Sequence, residues 1–142
     1  MGQVDRDRVL TLIGEARHAM GQLTSYGKLT DKEILSSDER VGNIKYQWII
    51  MMEACIDLCN HFSARLFGKT PESYAGCFEI MQKSQVIDEP LAVGMAELAR
   101  FRNVLVHLYW KVDNGMVVRH TRSRLDLVER YLKEIGKRIE RN

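Results

Sequence analysis

Apolar positions recur at three- and four-residue steps through most of this chain, and that period predicts helices rather than strands. Val9, Leu12, Ile13, Ala16, Ala19, Met20 and Leu23 mark one amphipathic helix from Val4 to about Tyr26, with charges opposite and Gly27 as its terminator. The polar stretch KLTDKEILSSDERVGN has room for a short turn of helix after Thr30. A second long helix is expected from about Ser37 to Leu66, stopped by Gly68 and Pro71. Its segment YQWIIMMEACIDLCNHF is apolar almost all round, so it belongs at the centre of the molecule. Pro71 heads a loop, and a short helix follows from about Ser73 to Ser84. Asp88-Glu89-Pro90 opens the next helix, with Asp88 as N-cap and Pro90 in the first turn. That helix should run to about Trp110, where KVDNG breaks it and Asn114-Gly115 signals a turn. A last helix is expected from about Thr121 to Ile139, through Leu125, Val128, Leu132 and Ile135. Met116 to Val118 is too short to support a sheet. The expected fold class is therefore all-α, an antiparallel bundle of four long helices plus a short one.

The segment RFRNVLVHLYW, residues 100–110, breaks the simple amphipathic pattern. With Arg102 at zero and about 100° per residue, Phe101, Val104, Leu105 and Leu108 fall between about 200° and 300° and form a core face. Met95, Ala99, Val106 and Trp110 fall between about 20° and 80°, flanked by Arg102, Asn103 and His107. A helix with a second apolar face must bury it, and a symmetric dimer is the economical way. Asn103 and His107 share one face, as do Arg102 and Tyr109. Arg102 and His107 are about 140° apart, so one straight helix does not aim them at one atom. Two copies across a twofold axis would, and distortion of the helix end is the competing route. A histidine near an asparagine is also a common structural arrangement. Arg102 has Glu97 and Asp113 as alternative ion partners, and Tyr109 is equally suited to an amphipathic interface. Spacing alone stops at a dimeric helical bundle.

Composition narrows the setting. A length of 142 residues fits one domain, 1–142, and a 45% hydrophobic fraction supplies a core without metal or disulfide staples. A net charge of +2 neither selects nor excludes a nucleic-acid partner. Cys55, Cys59 and Cys77 form no even framework and lack a second pair at zinc-site spacing, so they read as reduced core thiols. No metal and no cofactor are expected. The N-terminus MGQVDRDRVL has no signal pattern, and Arg6 breaks the myristoylation pattern. The longest apolar run, Trp48 to Met52, is too short for a bilayer. These features point to a soluble cytoplasmic domain. His18 and His61 read as structural. Glu53 and Asp57 read as structural or intersubunit partners, or as a hydrogen bond or salt bridge supporting the site, without a catalytic role.

The order R-x-x-x-x-H-x-Y, here Arg102, His107 and Tyr109 with Asn103 after the arginine, resembles the signature of the HEPN superfamily. Within it the chain is most similar to the HepT toxins of bacterial and archaeal HepT–MntA toxin–antitoxin pairs. QWIIMMEACIDLCNH, GKTPESYAGCFEIMQKSQVID and LARFRNVLVHLYWKVDNGMV follow that family's order and spacing. The resemblance implies an all-α HEPN homodimer whose two motifs line an interface cleft, and a metal-independent endoribonuclease activity. It also implies an MntA-like minimal nucleotidyltransferase antitoxin that transfers AMP from ATP to the motif tyrosine, here Tyr109. His107 is then the general base or acid, since histidine is the motif's side-chain type best suited to proton transfer. Arg102 suits stabilisation of the phosphorane-like transition state. Asn103 orients His107 or bonds a non-bridging oxygen, and Tyr109 bonds phosphate or stacks on a base. Lys111, Arg119, His120, Arg122 and Arg124 follow the motif as candidates for guiding RNA, although such a run also simply solvates a helix start. The alternative function is a non-catalytic HEPN module that binds nucleotide, or binds and regulates the nucleotidyltransferase.

Overall fold

The computed structural model describes residues 2–141. Among them every regular element is helical. The elements are α1 (Arg6–Gly27), α2 (Asp31–Leu35), α3 (Asp38–Phe67), α4 (Tyr74–Lys83), α5 (Glu89–His107), a 3₁₀ turn (Tyr109–Lys111), α6 (Asn114–Ser123) and α7 (Leu125–Arg141). Side-chain oxygens of Asp5, Thr30, Ser37, Ser73, Asp88 and Asp113 each accept a backbone N–H at the start of α1 to α6. Those donors have no partner inside the helix, so each cap fixes where its helix begins. At the other end of α3, Gly68 takes φ 60°, the left-handed conformation that a glycine adopts at least cost.

Paired residues give the directions of the long helices. Asn43 bonds Tyr26 while His61 bonds the backbone of Asp5, so α1 and α3 run antiparallel. Glu97 pairs with Arg124, and Gly94 lies under Leu127, so α5 and α7 also run antiparallel. A Cβ at position 94 would sit 3.0 Å from the Leu127 side chain, and glycine is what lets these helices approach. α3 occupies the centre, with Val41, Trp48, Met51, Met52, Cys55, Leu58 and Phe62 buried on different sides of it. Trp48 is fully buried, edge-on to Phe101 of α5 at 5.4 Å, and its indole N–H donates to Thr121 Oγ1 of α6 at 3.0 Å. Tyr131 of α7 donates its hydroxyl to the Cys55 carbonyl at 2.8 Å and meets Phe78 of α4 edge-on.

The expected helices of the first two thirds of the chain are present, with Asp88 as cap and Pro90 in the first turn of α5. The final third differs. α5 stops at His107 rather than Trp110, because Leu108 adopts φ −129° and ψ 40° and the chain tightens into the 3₁₀ turn. Asn114-Gly115 opens α6 instead of marking a turn, since the Asp113 carboxylate accepts the Gly115 N–H at 2.8 Å. Met116 to Val118 are thereby helical. The expected last helix is two, separated at Arg124. The cysteines also differ from expectation: α4 folds back on α3 and joins Cys77 to Cys59 as a disulfide, leaving Cys55 as a buried free thiol. Among the described residues no helix is long and apolar enough to cross a membrane.

Thr121 also donates to the Val117 carbonyl at 2.8 Å, so its hydroxyl serves two helices. Thr121→Val keeps the shape but leaves the buried Trp48 N–H without an acceptor. Urea unfolding should show a loss of about 1–3 kcal/mol at constant m-value, with Thr121→Ser much less affected. Equal stability of the two variants would contradict this role for the hydroxyl.

Candidate active site

The motif residues lie on the last two turns of α5 and the 3₁₀ turn behind it. Arg102 is largely buried, with 14% of its side chain exposed. Its Nη2 donates to Glu53 Oε1 of α3 at 2.8 Å, and its Nη1 donates to Asn103 Oδ1 at 3.1 Å. The Tyr74 ring, at the start of α4, faces its guanidinium at 5.9 Å. Arg102 Nε is buried and has no hydrogen-bond partner. The guanidinium is thus oriented from three elements while part of its donor set stays unused. Glu97 and Asp113, the partners weighed from sequence, instead pair with Arg124 and Arg119. Glu53 is the partner, 49 residues away.

His107 closes α5, is exposed, and makes no side-chain hydrogen bond among the described residues. Asn103 turns to Arg102 rather than to His107. Arg102 therefore faces α3 and His107 faces outward, as their angular separation requires, and the helix end does not distort to join them. Tyr109 is 54% exposed in the 3₁₀ turn, and Lys45 of α3 places its Nζ 4.3 Å from the centre of the Tyr109 ring. Lys45 escapes a reading of motifs. Its signal is its place on the stripe Val41, Lys45, Trp48, Met52, Cys55, where a 3.6-residue period calls for an apolar side chain.

The two apolar faces expected of α5 are only partly realised. Phe101 and Leu105 are buried as a core face, whereas Leu108 is 39% exposed. Met95 and Ala99, assigned to the second face, are buried within the chain itself. On α5 and the turn behind it, the exposed apolar side chains are Val93 near the helix start and Val106, Leu108 and Trp110 at the helix end, the last 74% exposed. Of the proposed basic rim, Lys111 and Arg119 are exposed. Arg122 pairs with Asp31 and donates to the Leu29 carbonyl, so it ties α6 to the α1–α2 connection. Arg124 is held by Glu97. His120 turns inward and lies 4.5 Å from the Phe101 ring.

The helical fold has parallels among solved structures. The cytosolic protein YutE of Bacillus subtilis, of unknown function, superposes with a TM-score of 0.85 at 22% identity, over 99% of this chain and 94% of that one. A tri-AMPylated HEPN toxin of Shewanella oneidensis, in complex with an MNT antitoxin, superposes with a TM-score of 0.84 at 20% identity, over 92% and 98%. These likenesses define a HEPN-type fold. A family model described as ribonuclease HepT-like matches residues 16–135, and the chain belongs to that HepT-like family. It is also 28% identical over 83 residues to the mRNA nuclease HepT of Shewanella oneidensis, a match spanning 58% of this chain and 62% of that protein.

Burial, followed by the charges of Arg124 and Arg119, holds His120 below the usual histidine pKa, and burial with Arg65 does the same for His61. As pH falls through about 6.5, the unfolded chain takes up protons that the folded chain refuses, so stability declines on the acid side. His120→Phe preserves the ring packing and removes its share of that decline. Denaturant midpoints measured from pH 7 down to pH 5 should fall less steeply than in wild type. Identical slopes would contradict the assignment.

Proposed function

We propose that this protein is a metal-independent endoribonuclease toxin acting as a homodimer, restrained by a cognate minimal nucleotidyltransferase antitoxin. The observation that carries this reading is the arrangement on α5. Arg102 is pre-oriented by Glu53 and keeps 14% of its side chain exposed, while His107 stands exposed beside an unpartnered apolar collar. Membership of the ribonuclease HepT-like family supports the same chemistry. Packing Val106, Leu108 and Trp110 against a second copy buries the collar and sets Arg102 of one protomer towards His107 of its partner.

RNA carries its own nucleophile, the 2′-hydroxyl, so the protein has three tasks. A proton must leave that hydroxyl, the transition-state charge must be matched, and the departing 5′-oxygen must be protonated. His107 is the proton-transfer group. Arg102 presents permanent charge in a fork that fits two phosphate oxygens, and Glu53 holds that fork in place. Asn103 fixes the guanidinium plane. Tyr109, exposed at the mouth, bonds the phosphate or stacks on a base. Lys111 and Arg119 are the exposed cations that extend the path for the strand. AMP placed on Tyr109 by the antitoxin adds a bulky anion where the substrate phosphate sits, and so blocks the cleft.

Purified protein should cut single-stranded RNA to 2′,3′-cyclic phosphate ends at a rate that EDTA does not change. His107→Ala should lower the rate by about 10²–10⁴ and Arg102→Ala by about 10²–10³. Mass spectrometry of protein coexpressed with its neighbouring nucleotidyltransferase should find added AMP on Tyr109 and none on Tyr109→Phe. Products with 5′-phosphates, or wild type as inert as both variants, would overturn the enzyme reading in favour of a binding module.

A further inference from the structure

The polar side chain hardest to explain by folding alone is Lys45. It is 6% exposed, on the core stripe of α3, and no carboxylate lies within 4 Å of it among the described residues. Removing an ammonium from water without an anionic partner is costly, and a lysine at such a position ordinarily escapes along its stem to solvent. Here the stem is packed while the Nζ keeps contact with solvent and ends 4.3 Å from the centre of the Tyr109 ring. The face of an aromatic ring attracts a cation but accepts none of its three N–H bonds in the way an oxygen does. The site therefore holds a positive charge with donors available, directly against a tyrosine that is 54% exposed. A ligand that reaches that ring also reaches Lys45.

We propose that Lys45 is a phosphate-binding residue of this site, whose ammonium takes an oxygen of a phosphate presented at Tyr109. The proposal rests on the reading above only in treating Tyr109 as part of the ligand cleft. Two sources share the chemistry: a backbone phosphodiester of RNA, and a nucleotide phosphate seated at the tyrosine. Burial holds the Lys45 pKa below the usual lysine range, and a bound phosphate offsets that cost by supplying the missing counter-charge. Lys45 and Arg102 then approach the cleft from α3 and α5, one beside Tyr109 and the other anchored by Glu53. Lys45 is a binding and positioning residue; it exchanges no proton with substrate.

The test compares wild type with Lys45→Met, which keeps the length of the buried stem, and Lys45→Arg, which keeps the charge. Two probes are used: a short 2′-O-methyl oligoribonucleotide, which lacks the nucleophile and is not cut, and adenosine 5′-monophosphate. For the oligonucleotide, Lys45→Met should bind about tenfold more weakly. Its plot of log affinity against log salt should be shallower by about 0.7, the loss of one phosphate contact on a single strand. Lys45→Arg should retain both, and the melting temperature of Lys45→Met should be equal to or above that of wild type. Weakening with the oligonucleotide alone assigns Lys45 to the strand phosphate. Weakening with the mononucleotide alone supports Lys45 as a phosphate ligand while counting against RNA as the substrate. If both probes bind wild type and Lys45→Met equally well, or neither binds wild type, Lys45 is not a phosphate-binding residue.

Discussion

A helix that is apolar nearly all the way round exists in water only if other elements wrap it. α3 is such a helix, and the other long helices run beside it because its buried side chains require covering from several sides. Trp48 shows how the wrapping is made specific. Its ring is edged by Phe101 of α5, and its single polar atom is met by Thr121 of α6. Tyr131 does the same for α7, with its ring against Phe78 and its hydroxyl on the Cys55 carbonyl. Each large amphipathic side chain thus supplies burial along its length and one hydrogen bond that fixes its register.

Against that background the polar exceptions on α3 stand out. Lys45 and Glu53 sit eight residues apart, and both touch the motif region: Lys45 meets Tyr109, and Glu53 meets Arg102. The wrapped helix therefore acts as the rigid floor of the candidate site. The half-buried Glu53–Arg102 pair is a modest source of stability, since desolvation offsets much of the attraction in such pairs. Its consequence is geometric, because it removes the rotamer freedom of a long cationic side chain before any ligand arrives. His107 has the opposite setting, exposed at a helix end where the backbone changes conformation at Leu108. One half of the motif is pre-organised within the chain, and the other half stands exposed at the helix end.

Much of this was legible in the sequence wherever periodicity or a cap carried the signal. The apolar stripes located α1, α3 and the start of α5, and Asp88-Glu89-Pro90 marked its own cap. The end of α5 was not legible, because no glycine or proline accompanies the change at Leu108. Asn114-Gly115 misled because that dipeptide suits both a turn and a helix start, and the Asp113 cap decides between them. Helical angles put Met95 and Ala99 on a free face because they describe a helix without its neighbours, and α5 is covered on more than one side. At the site, the motif shows Arg102, His107 and Tyr109, Glu53 is legible as one of two acidic residues able to form a salt bridge to them, and Lys45 joins them only through folding. Likewise, the apparent basic rim contracts once Arg122 and Arg124 are found tied to Asp31 and Glu97.

The proposed site joins Arg102 of one protomer to His107 of its partner. Mixing subunits tests it most directly: Arg102→Ala and His107→Ala proteins, each inactive, are unfolded, combined in equal amounts and refolded together. Random pairing makes half the dimers mixed, and each mixed dimer regains one intact composite site of its two. Ribonuclease activity should therefore return to about one quarter of that of wild type. A refolded mixture no more active than either variant alone would contradict the account, because it would place both groups of each site on the same chain.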